Sequence, residues 1–288
     1  MQNKIIKKSP GRIALKTLVI ALLIGLTFIM ITPFLWLLSS SFKLQKDVMT
    51  IPMDWIPDYF YPDNYLKVLH INTTGKDYHF FLAYWNSIKI AVTCTFTSML
   101  TASMAGYAFA KIRFRGSNVL FLLYLAQMMI PTQVTLIPRF IFFSQLDLVN
   151  THLPLLLPSL VSITATFLMR QSFISVPNEL RESAKLDGAG EFRIYAQIML
   201  PMIKPTIGAL ATIQFMNTWN DYLDPLVFIS NWRLNTLPLA LNQFVGEEVT
   251  QYNLITAACC LTVIPVMLVF LLGQKFFVKG LMTGAVKG

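Results

Sequence analysis

Six stretches of mostly apolar residues, near 13–38, 87–110, 118–137, 153–174, 206–230 and 254–278, alternate with polar segments along this chain. Each is about 20 or more residues long. A helix of that length rises about 30 Å, enough to cross the hydrocarbon core of a bilayer. The pattern predicts an all-α polytopic membrane protein with six transmembrane helices. Two stretches are less regular. Pro131 breaks the third, and several polar residues enter the fifth. The first is about twice the length of a signal-peptide apolar region and no A-x-A site follows it, so it reads as an uncleaved helix.

Composition agrees with this pattern. Hydrophobic residues make up 55% of the 288 positions and charged residues 13%, too apolar a balance for a soluble domain. Charge placement sets the orientation. The N-terminus, 111–117, 170–205 and the C-terminus together carry sixteen Lys/Arg and four acids, whereas the opposite loops carry six Lys/Arg and ten acids. Lys/Arg excess marks the cytoplasmic side, so both termini are expected there. Topology and anionic lipid account for the net charge of +9, and nucleic acid is excluded as a partner.

The largest outer loop, 43–84, is rich in Pro and aromatics, among them Trp55, Tyr59, Phe60 and Tyr61. It reads equally as an interfacial belt and as a docking surface for an outer partner. Lys89 most simply snorkels to the interface, a buried functional Lys being the alternative. Cys94, Cys259 and Cys260 lie inside apolar stretches without framework or metal spacing and read as packed thiols.

Gln127, Pro131, Thr132 and Gln133 interrupt the third stretch; Gln214, Asn217, Trp219, Asn220 and Asp221 interrupt the fifth. Polar groups in hydrocarbon must face other helices or a wet cavity. They read either as interhelical hydrogen bonds or as a solute path suited to hydroxyl-rich ligands. Gln127, Gln133, Asn217, Trp219, Asn220 and Asp221 are the candidate path residues.

Enzymatic machinery is not legible. The one Gly-Lys pair, Gly75-Lys76, is followed by Asp77, and the position of the first P-loop glycine holds His70. The three histidines are scattered, and Glu247-Glu248 is a lone acidic pair. No catalytic, metal or cofactor site is expected on this chain.

The polar insert 176–205 is more ordered. Pro177 suits a first helical turn, and Glu179 to Leu186 are mostly helix formers. Gly188 and Gly190 allow a left-handed turn. A second helix starts near Glu191, with Phe192, Tyr195, Ile198 and Met199 on one apolar face, until Pro201 and Pro205 end it. Ala184 and Gly188 form a small-residue stripe where another protein can approach, flanked by Glu182 and Lys185. The alternative is a surface helix pair without a partner.

Glu182-Ser183-Ala184, three residues, Gly188, nine residues, Ile198, one residue, Leu200-Pro201 resembles the EAA signature of bacterial ABC importer permeases. Ser183 in place of Ala is the one departure, small for small. Leu186-Asp187-Gly188-Ala189, Trp219-Asn220-Asp221-Tyr222, Leu237-Pro238-Leu239, Pro62-Asp63-Asn64-Tyr65 and the tail 280–288 resemble the carbohydrate branch of that family, and within it the maltose-type G subunit. The resemblance implies a type I permease fold over 1–288 as a single domain. Its parts are an N-terminal helix 13–38, core helices 87–278, a cytoplasmic coupling loop 176–205 and a tail 279–288. It implies that Glu182, Ser183, Ala184, Leu186, Asp187, Gly188, Ile198, Leu200 and Pro201 couple to an ATPase, and that Gly280, Gly284, Lys287 and Gly288 reach between ATPases. The implied partners are a second related permease, two ATP-binding subunits that hold the ATP and Mg, and an extracytoplasmic solute-binding protein. The implied location is the bacterial inner membrane and the implied cargo a sugar. A polyamine or phosphate importer, and a stand-alone channel or carrier, are the alternatives. No span carries the paired carboxylates of an ion-coupled carrier.

Overall fold

A computed structural model describes residues 10–71, 79–245 and 250–285, all of them in helices, turns or irregular segments apart from one isolated β-bridge, Val245 to Thr250. The chain divides into two compact units. One combines 1–75 with 244–261, the other 76–243 with 262–288.

In the first unit, helix α1 (Pro10–Ser40) is strongly apolar, and none of its most apolar 18-residue window is buried within the chain. Such a helix needs lipid or another chain around it. Beyond it, α2 (Asp63–Leu69) brings in Asn64, which is fully buried. The Asn64 amide donates to the carbonyls of Ser41 (2.9 Å) and Lys43 (2.8 Å), and its oxygen accepts from Asn253 Nδ2 (2.8 Å). One side chain thereby satisfies two carbonyls just beyond the end of α1. Ser39 Oγ donates to the Trp55 carbonyl (2.6 Å), and Lys43 Nζ donates to the Asp54 carbonyl. These bonds hold Ile51, Trp55, Ile56, Tyr59 and Phe60, all exposed, beside the end of α1. That height suits the interfacial belt.

The second unit is built on α3 (Phe80–Lys111). It continues through α4 (Ser117–Ala126), α5 (Leu136–Gln145), the short α6 (Leu153–Leu156) and α7 (Ile163–Ser175). A polar segment follows, holding α8 (Glu179–Leu186), α9 (Glu191–Ile194) and α10 (Leu200–Met202), the last two joined by one π-helical stretch over Tyr195–Met199. Then come α11 (Lys204–Trp219), α12 (Leu223–Phe228) and α13 (Leu237–Leu241). The last helix, α14 (Tyr252–Ala285), gives its first turns to the first unit and the rest to the second. α7 and α11 pack on α3. Small buried residues of α3 such as Ala91, Ser98 and Ala102 allow that approach. The core gathers Met99, Tyr107, Met169, Phe173, Ile194, Met199 and Leu210.

Among the described residues, four helices are long and apolar enough to cross a membrane, within Leu15–Ser40, Phe80–Lys111, Leu153–Ser175 and Tyr252–Phe276. A fifth arises if the bent pair Glu191–Met202 and Lys204–Trp219 counts as one span. Six transmembrane helices were expected, the third of them broken at Pro131, and two stretches are less helical than expected. The third is helical over Ser117–Met129 and again from Leu136. The chain leaves helix at Ile130 (φ −89°, ψ 114°), as the clash of a following proline ring requires. The fifth ends at Trp219 rather than near 230, where Asn220 Nδ2 bonds back to the Met216 carbonyl (2.9 Å). Cys94 is buried on α3, and Cys259 and Cys260 are half-buried on α14.

Candidate functional site

The polar segment 176–205 folds into an elbow. Helix α8 begins after Asn178, two residues past the expected start at Pro177. Its C-terminal turn is left-handed at Gly188 (φ +79°), whereas Gly190 takes an extended conformation open to any residue. The arm Glu191–Met202 then meets Lys204–Trp219 at 79°. Pro201 and Pro205 flank the bend, and each removes one backbone donor from it. Twelve residues rise about 18 Å, so the first arm is too short to span a bilayer alone.

The elbow is clasped to α3. Tyr107 Oη donates to Glu191 Oε2 (2.8 Å), and Ser103 and Tyr195 hydroxyls share a 2.7 Å bond. Arg181 and Lys185 both pair with Glu191, the lysine at 2.7 Å. Partial burial alone would raise the Glu191 carboxyl, but hydrogen bonds from Arg181, Lys185 and Tyr107 overcome it and hold the group at about 2. The same bond to Glu191 pushes the Arg181 guanidinium up. Lys111 Nζ, at the end of α3, donates to the Val176 carbonyl and to Asn178 Oδ1, both at 2.6 Å. The elbow is therefore tied to α3 as well as continuous with α11.

The expected coupling residues separate into two groups. Ala184 is buried (7%) in the chain's own core, so the Ala184–Gly188 stripe does not face outward as a unit. Ile198, Leu200 and Pro201 are half-buried, and Ile198 and Leu200 pack on the same core. Glu182, Ser183, Asp187 and Gly188 are exposed, and Leu186 is 90% exposed. Phe192, expected on one apolar face with Tyr195, Ile198 and Met199, is 73% exposed, whereas Ile194 is buried. The outward surface thus includes Glu182, Ser183, Leu186, Asp187, Gly188 and Phe192. Gly280 and Gly284 lie on the backbone of α14, while Lys287 and Gly288 fall outside the described residues.

A second feature is a cavity of about 600 Å³ between α3, α5, the segment before α7, and α11–α12. Gln133, Asn217 and Asp221 line it, joined by Gln214, Thr218, Ser159 and Ser162. Across it, Arg139 on α5 makes a bidentate pair with Asp224 on α12, at 3.1 and 2.5 Å. Asp221 lies beyond the last helical residue of α11. Burial first, and then the charge of Asp224, push its carboxyl up to about 6, which leaves it ionised in most molecules at pH 7.5. The other three candidates are elsewhere. Gln127 sits exposed on the turn after α4. Asn220 caps α11. Trp219 is buried (2%), stacks on Phe215 and donates its indole N–H to the Thr262 carbonyl (3.2 Å), so it supports the wall from behind.

The profile of a family described as "Binding-protein-dependent transport system inner membrane component" matches residues 98–283, a stretch that includes the elbow and the whole cavity lining except Ile90 and Cys94. The chain belongs to this family. It is a multi-pass permease of the inner membrane, a transport component rather than an enzyme. Among curated relatives, the arabinooligosaccharides transport system permease protein AraQ of Halalkalibacterium halodurans is 34% identical over 265 residues, 91% of this chain and 93% of that one. The sn-glycerol-3-phosphate transport system permease protein UgpE of Yersinia enterocolitica is 32% identical over 264 residues, 91% and 94% of the two chains. In fold, the chain is similar to a chain in the crystal structure of a bacterial ABC transporter for import of the acidic polysaccharide alginate. The TM-score is 0.82 at 22% identity, over 94% of this chain and 99% of that one.

Sequence reasoning missed the permease's Glu191 clasp and its Arg139–Asp224 pair. An acid after the glycine turn was the one local hint of the first. Replacing Glu191 with Gln is expected to loosen the elbow by about 1 kcal/mol once solvent screening of this partly exposed group is allowed for. Hydrogen exchange over 179–202 should quicken about fivefold, against little change in α3. The folded carboxyl is depressed, so its contribution is present above its unfolded value near 4.5 and is lost as pH falls through about 2. Exchange in the unmodified permease should therefore show no clasp-dependent step between pH 5 and 8.

Proposed function

We propose that this permease forms one half of a carbohydrate importer's translocation path and is driven through its elbow by a separate ATPase. In this reading α8 and the arm after it are the coupling helix on the cytoplasmic face, and Leu186, Asp187, Gly188 and Phe192 dock against an ATP-binding subunit. The 79° bend with its α3 clasp is the observation that carries the proposal, because it makes the exposed tip rigid with two helices of the core. Nucleotide-driven closure would then re-angle those helices around a fixed site, the usual logic of alternating access. The chain acts as a single permease domain with both termini cytoplasmic. It makes six crossings, the third of them broken across 117–145. A second permease completes the path, two ATP-binding subunits hold ATP and Mg, and an extracytoplasmic binding protein delivers the cargo. The similarity to AraQ favours an oligosaccharide; the similarity to UgpE favours a glycerol phosphate as the second reading.

The test is uptake by the assembled complex in proteoliposomes. Labelled arabinotriose should accumulate only with internal ATP and the binding protein outside. Transport by this chain alone without ATP would replace the proposal with a channel or carrier. Uptake of spermidine or inorganic phosphate instead of sugar would change the cargo class.

A further inference from the structure

The 600 Å³ cavity holds one guanidinium and two carboxylates among otherwise neutral lining residues. The guanidinium is spoken for. Both terminal nitrogens of Arg139 bond to Asp224, and its Nε is buried without a partner. Asp221 has no cation of its own. Its carboxylate is met by backbone amides, a long bond from Asp224 to Oδ1 (3.3 Å) and one from Leu223, and by no ion pair of its own. A separate observation shows that the wall is built to receive a donor or acceptor. Thr236 lines the cavity, is 5% exposed, and its hydroxyl has no hydrogen-bond partner. A buried hydroxyl left unpaired is costly, and an incoming polar group relieves that cost. Asn217 adds an exposed amide on the same wall.

We infer that this cavity is a charge filter that admits neutral, hydroxyl-rich solutes and turns away anions, with Asp221 supplying the excluding charge. The inference rests on the importer reading above and decides between its two cargo classes. A sugar hydroxyl donates to the Asp221 oxygens in a charge-assisted bond and pairs with Thr236 and Asn217. A phosphate monoester has few donors for a carboxylate and meets like charge at short range. It also cannot take Arg139 without stripping Asp224 of its partner, which would leave two unpaired acids beside it. Selection by a repulsive group costs an intended neutral cargo little, and for that reason repulsion is effective for specificity.

The charge filter is tested without knowing the cargo. Asn217→Cys is introduced into the assembled transporter, and the background from native cysteines is subtracted using the unsubstituted chain. Modification rates are measured in each nucleotide state with cationic, neutral and anionic methanethiosulfonates and normalised to a free thiol. The cationic reagent should exceed the anionic one at least tenfold. Adding Asp221→Asn should cut that ratio at least fivefold, whereas Asp221→Glu, which keeps the charge, should preserve it. A wild-type ratio near one, or a ratio untouched by Asp221→Asn, would overturn the filter. Failure of the neutral reagent to reach position 217 in every state would overturn it as well, by showing that the cavity is not a wet path. ATP-dependent uptake of arabinotriose is scored separately, so the importer reading can survive loss of the filter.

Discussion

Gly188→Asp is expected to lower substrate-stimulated ATP hydrolysis by the assembled importer at least tenfold while leaving assembly intact. Two facts about Gly188 make the result interpretable. Its φ of +79° strains any side chain, by roughly 1–2 kcal/mol. Among the described residues, its two chain neighbours aside, no atom lies within 4 Å of where a Cβ would stand, so the fold has room for the substitution. The cost inside the permease is therefore confined to backbone strain at an exposed turn beside Leu186, which is itself 90% exposed. Any further loss must come from what presses on that turn. Gly188→Ala serves as the control, since it carries the same strain with almost no bulk or charge. It should keep stimulated hydrolysis within about threefold of the unmodified complex. Equal, unchanged coupling in both variants would remove the elbow tip from the ATPase contact.

Gly273→Val is expected to abolish recovery of folded permease, for the opposite reason. At Gly273 a Cβ would stand 2.2 Å from Thr212 Oγ1 and 3.0 Å from its Cγ2. Thr212 cannot easily turn away, because it is buried and its hydroxyl is bonded to the Gly208 carbonyl (2.9 Å). Gly208 faces the same helix, where a Cβ would meet the Phe276 ring at 2.4 Å. α11 and α14 thus pack through paired glycines, and membrane helices draw much of their association from such close approach. Gly273→Ala alone should cost about 1–3 kcal/mol by overpacking. Combining it with Thr212→Ala removes the two nearest atoms and leaves the Thr212 Cβ at 3.1 Å. The double variant should recover at least half of the lost protein, read as the monodisperse fraction after a heat challenge. No recovery in the double variant would point to a different cause.

Features that depend on residues near one another in the chain were legible beforehand. The apolar stretches, the glycine turn at Gly188, the helix starting at Glu191 and the proline-flanked bend all follow from local rules about length, φ and missing donors. The errors also came from local reasoning carried too far. Periodicity placed Phe192 on one apolar face with Tyr195, Ile198 and Met199, but Phe192 is 73% exposed and Ile194 is buried. Ala184 had the right size for close packing, and its neighbour proved to be this chain's own core. Among the candidate path residues, polarity alone did not separate Asn217 and Asp221, which reach the cavity, from Trp219 and Asn220, which support the helix behind it.

From the sequence alone came the class of the molecule: a polytopic all-helical permease with a jointed polar segment bearing the EAA pattern. Hydrophobic length, charge bias and motif spacing are properties of contiguous residues, and the bilayer and the glycine turn read them directly. Tertiary structure decided where that joint is fastened and what charge the cavity carries. The Glu191 clasp links residues 84 positions apart at Tyr107, and the Arg139–Asp224 pair bridges 85 positions. Whether Asp221 stands beside a free cation or a neutralised one depends on helices that meet only after folding, and no local pattern encodes that meeting.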